Sequence, residues 1–302
     1  MNHKTLVVLA IACLVLIVMA DVPMAQPAPQ PPTQKQTETV KSRTNKAVVL
    51  ELFDEVIGKG NIDALNRLLS EDYIQHDPLL ETGRAALIKF LKESDTFAQP
   101  TQGGVLRIIA DGDFVAVHSD YPMGDTKLAW FDLFRLEQGV IVEHWDVVQE
   151  QPEKVASGRT MVDGPTEITD RDKTQANKQL VKAFFDTVLI GGQVDKAANF
   201  FDKDKYLQHA PNFPDGLASF LETMKKLQAQ GTPLTIKTLH RVVGEGNFVL
   251  THRKANLVGS PLPFMICSES NMARSQNIGM SSRKSRRSPK TPTGCSKDAG
   301  SA

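Results

Sequence analysis

The sequence predicts an α+β protein that contains one domain twice, and three observations support this. Two segments about 133 residues apart begin alike, NKAVVLELFDEVIGKGNIDALNRLLSEDYIQHDP at Asn45 and NKQLVKAFFDTVLIGGQVDKAANFFDKDKYLQHAP at Asn177. Each segment places helical patterns before β-rich patterns, which is typical of helices packed on one face of an antiparallel sheet. The hydrophobic fraction of 41% and the charged fraction of 23% are ordinary for a globular protein. A period of this length indicates repeated whole domains rather than a solenoid.

Each copy is predicted to begin with an amphipathic helix that ends near a pair of glycines. Its apolar residues recur at helical spacing: Val48, Val49, Leu52, Phe53 and Val56 in one copy, and Leu180, Val181, Phe184, Phe185 and Val188 in the other. Two more helices are expected in each copy, at 63–69 and 84–93, and at 195–201 and 217–228.

Strand patterns follow the helices. VLRIIADGDFVAVHSDY contains an Asp-Gly-Asp turn between two β-rich runs, and LAWFDLFRLEQGVIVEHWDVV turns at Glu137, Gln138 and Gly139. Both patterns predict β-hairpins. Three helices and a meander of strands therefore predict helices on a curved antiparallel sheet.

The N-terminus has the pattern of a signal peptide, residues 1–20. A positively charged MNHK precedes the apolar run TLVVLAIACLVLIVMA. This predicts a secreted or periplasmic protein with no membrane association after cleavage; an uncleaved anchor is the alternative. A disordered Pro/Gln-rich linker is expected at 21–43, the first domain at 44–152, a second linker at 153–176 and a truncated second domain at 177–264.

Composition excludes several classes of function. The formal net charge is zero, so no overall field favours nucleic acid. The three cysteines, Cys13, Cys267 and Cys295, lie outside both predicted domains, so no disulfide framework or thiolate metal site is expected in them. No phosphate-binding glycine loop, nucleophile elbow or HExxH motif is present. We therefore expect no cofactor and no nucleic-acid partner.

The motifs YIQHDP, FVAVHSDY and FDLFRLEQGVIVEHWDVVQ resemble those of SnoaL-like proteins, which are related to polyketide cyclases and predicted aldol-condensation enzymes. These proteins belong to the nuclear transport factor two-like superfamily. The resemblance spans 45–151 and, in the second copy, 177–259. It implies two tandem cone-shaped domains, each enclosing an apolar pocket, with the second incomplete. It also implies that the chain forms a homodimer or an internal pseudo-dimer, since family members often dimerise through the sheet.

The resemblance further implies a cofactor-independent acid/base enzyme of the cyclase or aldol type, acting on a small apolar carbonyl compound. Relatives include enzymes and non-enzymes, so a module that binds or carries a small apolar molecule without chemistry is the alternative.

In VEHWDVV, strand alternation places His144 and Asp146 on one face. A carboxylate can fix the tautomer of a histidine whose other nitrogen then moves a proton, which suits proton abstraction beside a carbonyl. We therefore expect His144 to be the base and Asp146 its orienting group. His76 and His118 are the expected hydrogen-bond donors to the enolate oxygen.

Each of these residues also has a structural interpretation. His76 could cap local backbone, and His118 could be a satisfied core histidine. The residues expected to line the pocket are Tyr73, Trp145, Asp132 and Phe131, although Trp145 and Tyr73 also fit a core role. The three histidines together could bind a metal, but no close ligand spacing supports this, and no metal is expected.

Residues 265–302 depart from the pattern of the first copy, because FMICSESNMARSQNIGMSS stands where a second FDLFRLEQGVIVEHWDV is expected. When the reading frame moves back by one nucleotide, the last base of the Met265 codon and the first two bases of the Ile266 codon form an Asp codon. The codons of Met272 and Ala273 form a Gly codon in the same way. A serine codon of the TCN type gives Val after Met280. The spacings of seven and eight match Asp132, Gly139 and Val147 of the first copy.

The other codons permit FYDLFRVEYGKIAEHWDVIEEIPPK. We therefore interpret residues 265–302 as a frameshifted, disordered tail, whether the shift is a mutation or a sequencing error. The basic run SSRKSRRSPK is accordingly not expected to bind nucleic acid.

Overall fold

The computed structural model describes residues 44–77, 80–94, 103–201, 205–257 and 260–269. The predicted signal peptide (1–20), the Pro/Gln-rich linker (21–43) and residues 270–302 of the predicted tail lie outside the described residues. No helix within the described ranges is long and apolar enough to cross a membrane. We call residues 44–152 the first unit and residues 177–269 the second unit.

The helices of the first unit follow the predicted apolar spacing. Helix α1 (Asn45–Leu52) continues as a π-helical turn, Phe53–Gly58, and begins at Thr44, whose Oγ1 accepts a hydrogen bond from the Ala47 N–H. A 3₁₀ turn at Ile62–Ala64 leads into the short helix α2 (Leu65–Leu68), and α3 spans Arg84–Glu93. The three predicted helices are therefore confirmed, the second as a 3₁₀ turn and a single α-helical turn.

Five strands form the sheet of the first unit: β1 (Leu69–Gln75), β2 (Val105–Asp111), β3 (Phe114–Ser119), β4 (Leu128–Glu137) and β5 (Val140–Glu150). Their order is β1-β5-β4-β3-β2. Both predicted hairpins are present. The second turns on Gln138 and Gly139, both at positive φ, as a two-residue hairpin requires.

Strand β1 was not among the predicted strands. It pairs in parallel with β5, with Gln75 opposite His144. A parallel pairing between residues so far apart in sequence leaves no local turn signal, because a crossover rather than a hairpin joins the strands. This unpredicted strand supplies one wall of the candidate site.

The two faces of this sheet have different partners. The helices cover one face, here called the concave face, in a core that includes Val49, Leu65, Tyr73, Val117 and Phe134. The other face, called the reverse face, carries Ile109, Phe131, Leu133, Trp145 and Val147, which pack with Val243, Phe248 and Leu250 of the second unit. Strand alternation therefore divides the predicted site residues between two environments.

The described helices and strands of the second unit follow an order similar to that of the first, without named counterparts of α2 and β1. Helix α4 (Thr174–Phe184) continues as a π-helical turn, Phe185–Ile190; a 3₁₀ segment at Val194–Asn199 follows, and α5 spans Leu217–Ala229. Strands β6 (Thr235–Glu245), β7 (Phe248–Leu257) and β8 (Ser260–Glu269) form a sheet of order β6-β7-β8. Local contacts recur as well: the N–H of Gly83 bonds the carbonyl of Tyr73, and that of Gly216 bonds the carbonyl of Tyr206, both at 2.7 Å.

Strand β8 corrects the predicted end of the second domain at residue 264. It pairs with β7 through Glu269, whereas a disordered or poorly packed tail was expected from 265. The register matches that of β4 on β3: His118 lies opposite Phe131, and His252 lies opposite Met265. A β-ladder is held by backbone hydrogen bonds, so an unrelated but β-prone sequence such as FMIC can occupy the place of β4.

Candidate functional site

The candidate site lies on the concave face of the first unit and is centred on His144. Its Nε2 lies 3.1 Å from Asp132 Oδ1, and its Nδ1 lies 3.3 Å from Gln75 Nε2. The Phe134 ring stacks on the imidazole at 4.5 Å between centroids. The side chains of His144 and Asp132 are 13% and 10% exposed, so the pair is largely enclosed.

Gln75 determines the tautomer of His144. Its Oε1 accepts hydrogen bonds from the N–H groups of His76 (2.9 Å) and Asp77 (3.2 Å), which leaves its amide nitrogen to face the imidazole. An amide nitrogen only donates, so Nδ1 of His144 is the acceptor and Nε2–H donates to Asp132. His144 is therefore oriented through both ring nitrogens in its neutral form.

The electrostatics around His144 favour its protonation. Burial lowers the pKa of His144, but the hydrogen bond to Asp132 and the charges of Asp146 and Asp77 outweigh burial, and the pKa is raised. Gln75 acts in the opposite sense, since its donor stabilises only the neutral ring. With its pKa raised, His144 accepts a proton more readily than an ordinary imidazole, as a general base must.

Tyr73 adds a hydroxyl to the same face. It is 2% exposed and lies two residues before Gln75 on β1, on the same side of the strand. Burial raises its pKa well above the usual value, and the charges of Asp146, Asp132 and Asp77 raise it further. Tyr73 is therefore a neutral phenol at any physiological pH, able to donate a hydrogen bond to a developing oxyanion.

Asp132, rather than Asp146, holds the imidazole of His144. The expected arrangement placed the orienting carboxylate two residues along the same strand, a separation of roughly 7 Å between backbone positions. Asp132 lies directly opposite Asp146 on β4 and thus diagonal to His144, within reach of its ring. Asp146 shares the face and raises the pKa of His144 through its charge. Asp132 was expected to line a pocket; its hydrogen bond gives it a larger role.

His118 lies on the reverse face, away from His144. Its ring stacks on Phe131 at 4.2 Å, and its Nδ1 lies 3.1 Å from Arg107 Nη1. Burial, together with the positive charge of Arg107, lowers its pKa to about 3. The expectation that His118 donates at the site is therefore wrong, because strand alternation turns it towards the second unit. Phe131, expected to line the pocket, lies on the same reverse face.

His76 and Trp145 are also on the reverse face. The imidazole of His76 stacks on the Trp145 ring at 4.6 Å, nearly parallel, and its Nε2 lies 2.7 Å from Glu143 Oε1. The role of His76 as a donor at the site is therefore wrong, and Trp145 does not line it. The structure accordingly does not assemble the three-histidine metal site. Across the residues described, no group of three or more His, Cys, Asp or Glu side chains could hold a metal ion.

The structure thus brings together four of the eight predicted residues, His144, Asp146, Asp132 and Tyr73, and adds Gln75 and Phe134. Alternation within YIQH could have shown Gln75, because it shares a face with Tyr73 whereas His76 does not. The same rule applied to FDLF pairs Asp132 with Phe134. No local signal shows that β1 lies beside β5.

Part of the first unit matches a known family of domains in sequence. Residues 49–144 match the family model described as SnoaL-like domain. This part of the first unit is therefore similar to a SnoaL-like domain. The matched range includes both β1 and the first half of β5, and so includes Gln75, Asp132 and His144.

Solved structures similar to parts of this chain include a candidate ketosteroid isomerase from Kribbella flavida, at 24% identity over 41% of this chain and 90% of that one, with a TM-score of 0.33. An NTF2-like protein of unknown function from Cytophaga hutchinsonii is 20% identical over 36% and 95%, at 0.32. A candidate SnoaL-like polyketide cyclase from Jannaschia is 21% identical over 39% and 92%, at 0.30. No curated protein matched the chain.

Proposed function

We propose that the first unit binds a small apolar carbonyl compound and catalyses a cyclase- or aldol-type step by acid/base chemistry. The observation that carries this proposal is the enclosed pair of Asp132 and His144, joined at 3.1 Å on the concave face of a unit similar to a SnoaL-like domain. As the signal segment at 1–20 suggests, the protein would act after export, which N-terminal sequencing of the exported protein tests.

In this proposal His144 removes the proton next to the substrate carbonyl. Asp132 holds Nε2–H, so Nδ1 is the basic atom, and its contact with Gln75 at 3.3 Å is at the long end for a hydrogen bond. A substrate can therefore displace that contact. The imidazolium that forms is stabilised by Asp132 and Asp146, and the phenol of Tyr73 donates to the enolate oxygen. The enolate carbon then forms a C–C bond with a second carbonyl. The oxygen of that carbonyl becomes an alkoxide, which takes the proton back from His144.

A second candidate is a carrier that binds the same kind of compound without chemistry. The observation that favours it is the engagement of both ring nitrogens of His144, by Asp132 and Gln75. A base that stays bonded on both sides has no lone pair for the substrate.

Exchange of α-protons distinguishes the two candidates. A panel of alkyl methyl ketones and 1,3-diketones is incubated with the protein in D₂O, and deuterium incorporation is followed by NMR, with binding measured in parallel. We expect catalysed exchange that falls by a factor of about 100 in His144→Ala, the usual contribution of a general base. His240→Ala is the matched control, since His240 is exposed in the second unit. Binding without exchange supports the carrier, and neither binding nor exchange refutes both.

A further inference from the structure

Contacts between the two units come in reciprocal pairs. The N–H of Ala110 donates to Glu245 Oε2 at 2.8 Å, and the N–H of Gly244 donates to Asp111 Oδ2 at 3.1 Å. In the register of the two sheets, Ala110 is equivalent to Gly244 and Asp111 to Glu245. Each unit thus presents the same two positions to the other.

The ion pairs and the cation–π contacts between the two units are reciprocal as well. Lys46 of α1 pairs with Glu245, and the equivalent Lys178 of α4 pairs with Asp111. The guanidinium of Arg107 lies 6.0 Å from the Phe248 ring centroid, and that of Arg241 lies 5.7 Å from the ring centroid of Phe114. A contact in which i touches j and j touches i is the mark of a two-fold interface between like subunits.

We propose that Arg241 of the second unit is a positioning residue for the candidate site of the first unit. The proposal rests on the proposed role of the site around His144. Its evidence is the contact of Arg241 with Trp145, which follows His144 on β5 and points to the reverse face.

Arg241 reaches the site through Trp145. Its guanidinium carbon lies 4.2 Å from the Trp145 ring centroid, and the same indole stacks on His76. A guanidinium this close to an indole is attracted by the ring, and more strongly where water is largely excluded, as it is at Trp145, which is 8% exposed. Arg241, Trp145 and His76 therefore form one stack that joins the second unit to the edge strand of the first.

His76 carries the effect of this stack to the concave face. Its N–H donates both to the carbonyl of His144, at 3.0 Å, and to Gln75 Oε1. Its ring is further held by Glu143, which Arg135 binds at 2.6 Å. A fixed His76 backbone fixes the Gln75 amide, and that amide holds His144 in its neutral tautomer. Loss of the stack should loosen Gln75 and make His144 easier to protonate.

The test is the titration of His144 followed by NMR in the full chain. His144 faces Asp132 on β4, Asp146 on its own strand, and Tyr73, Gln75 and Asp77 at β1. Each variant used in the test keeps all five residues, except that Gln75 is replaced in Gln75→Ala. Gln75→Ala should raise the pKa of His144, because the donor that favours the neutral ring is lost. Arg241→Ala should raise it in the same direction. A titration of His144 that does not respond to Gln75→Ala overturns the proposal.

Removal of a positive charge raises the pKa of a nearby histidine by itself, so a double-mutant cycle is needed. In a Trp145→Leu background, Arg241→Ala should have no further effect, because its route to the site is already cut. An equal shift in both backgrounds means that bulk charge is the cause, and the proposal fails. His76→Ala replaces Trp145→Leu as the background if the latter does not fold.

Phe248→Leu is the matched control, since it weakens the reciprocal contact with Arg107 of β2 and leaves Arg241, Trp145 and His76 unchanged. It should lower stability and leave the titration of His144 unchanged; a shift as large as that of Arg241→Ala contradicts the proposal. The readout is the pKa of His144 and not catalysis. The titration therefore tests the role of Arg241 even if the first unit proves not to be an enzyme.

Discussion

His144 combines two opposing influences within one ring. Asp132, Asp146 and Asp77 favour the imidazolium, whereas Gln75 favours the neutral ring. A histidine held between such influences can change protonation state with little reorganisation, which suits both acid/base chemistry and recognition of a polar group in an apolar site. Among the influences that raise the pKa of His144, the hydrogen bond to the carboxylate of Asp132 is the largest.

Asp132→Asn should lower the pKa of His144, because an amide keeps the shape of the carboxylate but not its charge. A raised histidine pKa contributes stability that is present below the unfolded pKa and is lost as the pH rises through the folded pKa. The variant should therefore be less stable than the wild type by about 1–2 kcal/mol near pH ~5, with a smaller difference near pH ~8. Urea unfolding at several pH values measures this, and a difference that does not change with pH argues against the pair.

Equivalent turns in the two units lie in different surroundings. Gly112 joins β2 to β3 and Gly246 joins β6 to β7, with φ of 60° and 61°. An added Cβ at Gly112 would meet nothing within 4 Å, whereas at Gly246 it would lie 2.0 Å from the carbonyl oxygen of Thr169 in the linker. The linker thus packs on the β6–β7 hairpin. Asn247 stabilises this contact, because its N–H donates to the carbonyl of Thr169 and its Oδ1 accepts from the N–H of Thr169.

Gly112→Ala and Gly246→Ala together distinguish the cost of backbone strain from the cost of a clash with the linker. Gly112→Ala should cost only the strain of a left-handed alanine, about 1 kcal/mol. Gly246→Ala should cost about 2 kcal/mol more, because the linker backbone has to move. Urea unfolding midpoints compare the two variants directly, and equal losses of stability would show that the linker does not constrain this turn.

The two units carry sheets of different size among the residues that the structure describes. The first unit has five strands, and the second has three among the residues that the structure describes, the last of them at the place of β4. The position equivalent to Asp132 is residue 266, which is also where the adjacent reading frame encodes aspartate. Structural register and codon arithmetic therefore agree on the alignment of the two copies.

A chain carrying the adjacent frame after Phe264 should be more stable than the present one. The restored EHWD segment could add the counterpart of β5 beside β8 and cover apolar surface. We expect a rise in the thermal midpoint of at least about 4 °C. A tail of equal length with the restored residues in scrambled order is the control, and a midpoint no higher than that control contradicts the prediction. A DNA read across the Phe264 codon shows whether the shift lies in the gene.

Local pattern was sufficient for much of this structure. The helix spacing around Val48 and Phe53, the turn at Gln138 and Gly139, and the alternation that separates His144 from Trp145 are all properties of neighbouring residues. His76 and His118 were misplaced because a polar residue in a strand gives no sign of which face meets a pocket and which meets another domain. Alternation alone assigns the residues of a strand to two faces but does not show which face meets the pocket.

The sequence by itself determined that the first unit begins with an amphipathic helix and that His144 and Asp146 share a face, and it predicted that one α+β domain occurs twice. These follow from periodicity, which acts over a few residues. Only the tertiary structure decided that Gln75 and Asp132 hold His144, and that Arg241 contacts Trp145. Those contacts depend on the parallel pairing of β1 with β5, on the register of β4 against β5, and on the packing of two sheets. Each joins residues distant in the chain, and no local pattern records them.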